Sequence, residues 1–161
     1  MATSKYKFYM AECDAEWNVK SDTKKDLETD FEGLRYQEAK GLNLTGKPRL
    51  YTETYADADR VRVYIPEDVT YEPTTITFSF VFFGDDRQQT YDAFVEFVSG
   101  KRMVYWDSAR GKYAYFYVGD SIQPAEEKWY YSTPYLRLEL KVSNGYGRTF
   151  DEPNNINITQ L

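Results

Sequence analysis

The residues best suited to chemistry in this chain are carboxylates, because histidine is absent and cysteine occurs once, as Cys13. Histidine is the commonest general acid/base and metal ligand. Without it, Cys13 has no ordinary activating partner as a nucleophile. Two carboxylate pairs are adjacent in sequence, Asp85/Asp86 and Glu126/Glu127. Neighbours on a strand point to opposite faces, so neither pair converges on one bond, and both read as polar loop residues. A glycosidase needs only two carboxylates, but no spacing here argues for one. Asp57-Ala58-Asp59 offers calcium-type oxygens, yet it lacks the Gly and terminal Glu of an EF-hand loop. Turn chemistry accounts for it. There is no HExxH, CxxC, GxSxG, P-loop or GxGxxG. The expectation is no enzyme, no cofactor and no metal.

The second kind of chemistry available is aromatic contact. The chain carries 16 Tyr, 10 Phe and 3 Trp in 161 residues. Trp129-Tyr130-Tyr131 fall together in a segment, Gly119 to Pro134, that reads as a long loop. Tyr113, Tyr115 and Tyr117 share one face of a strand. Exposed aromatics are enriched at binding surfaces. Both groups are therefore candidate interaction surfaces, either protein–protein or stacking on sugar rings. The competing reading tucks the same rings into the core.

Length and charge narrow the class. At 161 residues a single domain spanning 1–161 is expected, large enough for a core without disulfides or metals. The lone cysteine fits a reducing compartment. The longest apolar run, near Phe80–Phe83, is too short to cross a membrane, and the first residues carry no signal-peptide core. A net charge of −6 argues against nucleic-acid binding, which uses basic patches. Acids crowd between Glu12 and Glu38. They read as a solvated face or mobile loop, or as a surface that repels DNA or binds cations.

The elements that must position these residues are mostly strands. Lys5–Met10 alternates, with Tyr6, Phe8 and Met10 on one side. Residues 12–50 read as a long, partly irregular excursion. Leu27, Phe31 and Leu34 suit a helix there, weakened by Gly33. Leu50–Tyr55 and Arg60–Ile65 are β-rich, and Thr74–Phe83 puts Ile76, Phe78, Phe80 and Phe82 on one face. A helix over about 90–99 follows, with Thr90 as N-cap, a Phe94/Phe97/Val98 stripe and Gly100 just past its end. Its partner is the Phe-rich face of 76–82. Arg102–Trp106 and Lys112–Val118 form a hairpin across Asp107–Gly111. Tyr135–Val142 turns Leu136, Leu138, Leu140 and Val142 inward. The tail from Asp151 reads as irregular. The sum is a mainly β protein, α+β at the margin: an antiparallel β-sandwich or β-roll with one packed helix.

The order from Thr74 to Val142 carries a resemblance. A strand, a helix with YDAFVEFVSGKR, a hairpin on MVYWDSARGKYAYFYVG, a loop and a final LRLEL strand resemble the N-terminal β-sandwich domain of bacteriophage distal tail proteins and the related tail-tube fold. The upstream RLYTETYADADRVRVYIP piece is similar in texture to phage tail components. The resemblance implies a structural virion subunit of a phage or prophage tail: a distal tail, tube or assembly component. It implies a homo-oligomeric ring, often hexameric, joined to other tail proteins, with an acidic lumen for the genome and no sequence-specific nucleic-acid or membrane binding. It places the chain in the bacterial cytoplasm during assembly and then in the virion tail. The segments it assigns to ring contacts are Lys5–Met10, 12–50 and 119–134. The alternative is a stand-alone β-sandwich binding module, for instance for carbohydrate, using Trp129, Tyr130 and Tyr131.

Overall fold

The computed structural model of the chain describes residues 6–54 and 61–152. In chain order the elements are β1 (Phe8–Cys13), β2 (Lys25–Asp26), the one-turn α1 (Leu27–Asp30), β3 (Leu34–Lys40), β4 (Tyr51–Thr54), β5 (Val61–Tyr64), β6 (Thr74–Phe82), α2 (Arg87–Val98), β7 (Arg102–Asp107), β8 (Tyr113–Tyr117), β9 (Glu126–Tyr130) and β10 (Thr133–Asn144). The fold is mainly antiparallel β-sheet with a packed helix, as the alternation patterns require.

Eight strands form one sheet in the order β2-β1-β7-β8-β10-β6-β3, with β9 added to β10. The sheet folds over on itself at β8 and β10, which share a single paired position, Ser143 with Tyr117. Two leaves result, β2-β1-β7-β8 and β10-β6-β3, and their inner faces make the core. Phe8 stacks on Tyr36 at 4.2 Å, and Phe78 meets Tyr105 at 5.1 Å and Phe116 at 5.5 Å across the gap. Ile76, Phe78, Phe80 and Phe82 are wholly buried, as are Met10, Met103 and Phe116. Each buried Phe contributes about 1.5–3 kcal/mol.

Helix α2 plugs one end of this sandwich and does not lie along the whole row. Phe94 packs on Phe80 at 4.9 Å and on Phe31 at 5.5 Å, while Ile76 and Phe78 are left to the opposite leaf. The helix starts three residues before the expected Thr90. Asp86 holds the N-cap position, and the Thr90 hydroxyl donates to the Glu32 carbonyl at 3.0 Å. Thr90 therefore ties the helix to the β3 entry and caps nothing. At the other end Gly100 adopts φ +68, and the Lys101 ammonium reaches the Glu96 carbonyl at 3.4 Å.

The 12–50 excursion is more ordered than its sequence suggested. Leu27, Phe31 and Leu34 are all buried, but only one turn of helix forms. Gly33, at φ +87, turns the chain into β3, and a Cβ there would overlap the Phe83 carbonyl oxygen. The Phe83 N–H donates to the Gly33 carbonyl at 2.9 Å. Gly33 is thus a close-approach residue. β3 then pairs with β6 through a bulge between Tyr36 and Glu38. At the bulge the Tyr36 N–H donates to the buried Glu28 carboxylate at 3.0 Å.

Two further segments differ from their sequence reading. The Gly119–Pro134 loop contains β9, so Trp129 and Tyr130 lie on a strand. The N-terminal strand runs Phe8–Cys13 and sits between β2 and β7, inside the leaf. β4 and β5 form a separate two-stranded ribbon. Asp57-Ala58-Asp59 and the tail beyond residue 152 lie outside the described residues.

Candidate functional site: an aromatic hairpin tip

β9 and β10 form a hairpin with a two-residue loop, since Tyr130 pairs with Thr133. β6 joins β10 only from Leu136 onward. Residues 129–134 therefore form a bare two-stranded ribbon standing off the sandwich. Every residue of β9 is exposed. Trp129, Tyr130 and Tyr131 expose 64%, 65% and 88% of their surface. Tyr131 also takes φ +55, a left-handed conformation that costs an L-residue roughly 1–2 kcal/mol. Gly and Asn are the usual occupants of such loop positions. Monomer stability explains neither the exposure nor the strain.

Alternation places Trp129 and Tyr130 on opposite faces of the ribbon. The Tyr130 and Tyr131 rings meet edge-on, 4.8 Å apart at 80°. One step below the tip sits a charged collar. Glu126 pairs with Lys128 at 3.1 Å, and Glu127 pairs with Arg87 of α2 at 3.3 Å. The Glu126/Glu127 pair is therefore split between two faces and two cations. Asp85 and Asp86 sit exposed in the turn before α2. Neither of these two sequence-adjacent pairs is brought onto one point, and among the described residues no three metal-ligating side chains cluster.

The Tyr113/Tyr115/Tyr117 face divides. Tyr115 is fully buried in a second apolar layer on the outside of β1, β7 and β8. That layer gathers Ala11, Cys13, Val19, Val104 and Trp106. Two segments cover it. Trp17 and Tyr146 pack edge-on against Tyr115 at 6.2 and 5.6 Å, and Phe150 joins at 5.6 Å. Tyr113 is half-buried against Trp106 at 5.7 Å, and burial pushes its phenol up. Only Tyr117 is exposed, at 39%. The Asp14 carboxylate organises the covering loop by accepting the Glu16 and Asn18 amides at 2.8 and 2.9 Å. Those bonds, Asn18 first, hold its carboxyl below the usual range. Cys13 lies beneath, and burial pushes its thiol up to about 12, which leaves it unreactive.

Two buried acids escaped the sequence reading, Glu28 beside the β3 bulge and Asp107 at the end of β7. Asp107 accepts the Tyr105 hydroxyl at 2.8 Å and the Arg110 N–H at 2.7 Å, with the Arg110 guanidinium 4.0 Å away. Both oxygens are occupied, so the group locks the β7–β8 hairpin. Burial raises the neighbouring Tyr105 and Tyr36 phenols. On the outer face of β3, β6 and β10 the outward Arg137, Glu139 and Lys141 follow from the alternation of the last strand, and the matching row on β3 does not. Register aligns Arg35 with Arg137, Glu38 with Glu139 and Lys40 with Lys141, each across a β6 residue. Charges of opposite sign neighbour along each strand, with Arg137 on Glu139 at 2.8 Å and Lys40 on Glu38 at 3.8 Å. A groove of about 790 Å³ runs beside this face, lined by Asp120, Ser121, Gln123, Glu126, Arg137 and Glu139 among others. Small-molecule sites are mostly apolar, and this groove is not. No helix among the described residues is long and apolar enough to cross a membrane.

No protein-family model matches the chain, and no curated protein matches it by sequence. Among solved structures the chain is similar to SPP1 Dit (gp 19.1), described as a paradigm of the hub adsorption apparatus in phages infecting Gram-positive bacteria. The match has a TM-score of 0.50 at 14% identity and covers 87% of this chain and 50% of that one. The chain thus spans about half the length of the protein it matches. What the likeness shows is a shared fold over 87% of this chain.

Proposed function

We propose that the chain is a structural subunit of a phage or prophage tail, built into a homomeric ring and joined there to other tail proteins. The observation that carries the assignment is the fold shared with a tail hub protein over 87% of the chain. The surface supports it. The outer edge of β3 and the free edge of β9 are unpaired among the described strands. Unpaired edges, the outer edge of the short β2 among them, template further pairing, and unlike surfaces on one chain suit a heterologous contact that closes into a ring. Trp129, Tyr130 and Tyr131 form the interaction surface, with Tyr117 an exposed aromatic elsewhere. Tyr115 serves the monomer core. The β1 segment is flanked on both sides, so of the segments expected to make contacts the β9 hairpin is the one left exposed. In this reading the subunit is made in the bacterial cytoplasm and ends in the virion tail, without enzymatic activity.

A carbohydrate module is the second reading, favoured by the exposure of the same three rings. Sugar stacking needs a flat ring face, and here Trp129 and Tyr130 face opposite ways while Tyr131 stands at 80° to Tyr130. Light scattering over rising concentration, with negative-stain imaging, tests the choice. Rings or a mass that grows with concentration support the tail subunit. A strict monomer, alone and with its co-encoded tail proteins, whose tryptophan fluorescence responds to a glycan, would falsify it.

A further inference from the structure

Two exposed apolar patches stand at opposite ends of the molecule. The aromatic tip lies beyond the end of β6 at Phe82, which pairs with Leu136 of β10. The second patch is on the β4–β5 ribbon, where Leu50, Val63, Tyr64 and Ile65 are exposed. This ribbon leaves the sandwich at the other end of β6, near Thr74. Its base is pinned by the Arg49 N–H to the Thr70 carbonyl and the Glu72 N–H to the Lys47 carbonyl, both at 2.9 Å. Nine residues of β6 separate the two ends, roughly 27 Å at about 3.3 Å per residue. A two-stranded ribbon is marginal alone in water, and both ribbons keep large apolar side chains in water.

We infer that the aromatic tip of one copy docks on the β4–β5 ribbon of the next copy, head to tail along the β6–β10 direction. This rests on the tail-subunit reading and names the surfaces through which copies meet. The occupant is a second copy because the chain itself supplies two unlike patches at opposed ends, the arrangement a heterologous contact needs. The areas agree. At about 150–250 Å² per aromatic side chain, the tip exposes on the order of 450 Å². The ribbon residues add on the order of 400 Å². Stable interfaces bury about 1,200–2,000 Å² in total, some 57–65% of it apolar, so the two patches supply an apolar centre of the right size. The tip is apolar on both faces above its charged collar, a shape that inserts against a second ribbon better than it lies on a plane.

Mixed cysteine cross-linking of the full chain tests this. Tyr131→Cys and Tyr64→Cys are prepared separately, Cys13 being buried and silent. Under mild oxidation the mixture gives covalent dimer at least about tenfold above either variant alone, and the double variant gives a ladder. Equal dimer from one variant alone overturns the proposal in favour of a symmetric contact. Absence of cross-link in a sample that still forms rings overturns this contact and leaves the tail-subunit reading standing. Absence of cross-link in the variants, together with absence of assembly in the unsubstituted chain, overturns the two together.

Discussion

Replacing Tyr131 with glycine separates what this residue does for the fold from what it does for association. The left-handed φ of +55 costs tyrosine about 1–2 kcal/mol. Glycine removes that cost and restores about 0.5–1 kcal/mol of backbone freedom to the unfolded chain. The ring is 88% exposed, so against the roughly 3 kcal/mol of a fully buried aromatic its lost burial amounts to a few tenths. Tyr131→Gly is therefore neutral to about 1 kcal/mol stabilising. The assay is urea unfolding, read as a shift in midpoint at unchanged slope. Self-association moves the other way. A central aromatic anchor at an interface is worth about 2 kcal/mol or more, so association measured by light scattering weakens by about thirtyfold. Tyr131→Asn tolerates the same φ and loses the same ring, so it follows glycine in both assays. Destabilisation of the monomer by more than about 1.5 kcal/mol in either variant refutes the reasoning, because the ring would then be anchoring the fold.

Other outcomes follow from the core and the covering loop. Phe94→Ala, at the helix–sheet contact, lowers stability by about 3–5 kcal/mol in the same unfolding assay. Gly33→Ala loses about 2–4 kcal/mol, from the left-handed backbone and the collision with the Phe83 carbonyl. The Cys13 thiol stays inert to a thiol–disulfide reagent at pH 8 in the native protein and reacts fully in urea; above pH 9 the unfolded state alone ionises this thiol, so stability falls as pH rises toward 12. Asp14 has a lowered carboxyl, so its contribution is present above its ordinary value of 3.8 and is lost as pH falls through the lower folded value. Amide exchange at Glu16 and Asn18, followed by NMR, quickens over that acid range and not near neutrality.

The parts of the fold that were legible in sequence are those where burial imposes a local period. The Ile76–Phe82 row and the Leu136–Val142 row both sit on the inner face, and both show strict alternation. β3 was hidden because its bulge at Gln37 resets the alternation between Tyr36 and Glu38. β9 was hidden for a different reason. Glu126-Glu127-Lys128 are exposed on both faces, so no period exists, and the strand is held by pairing with β10 and by the Glu127–Arg87 ion pair. Tyr115 was ambiguous because its cover comes from Trp17, Tyr146 and Phe150, distant in sequence. The exposure of Trp129, Tyr130 and Tyr131 was open for the same reason: a ring's fate depends on whether something far along the chain reaches it.

The single shared position between β8 and β10 has a kinetic consequence. The two leaves are joined by almost no backbone hydrogen bonds at their fold, so each can zip on its own and closure waits on side chains. Within one leaf, β3, β6 and β10 pair across shorter stretches, as Leu34 and Leu136 both do with Phe82. In the other, β1 needs β7, and Phe8 meets Asp107 only after about a hundred further residues have been made. Loop closure of that length slows folding. Until then Phe8 and Met10 wait in water, paired at most with the short β2. The β1–β7 pairing closes the longest loop in the sheet, so it is expected to be the slowest to form, and the acidic stretch that follows β1 keeps the segment charged meanwhile.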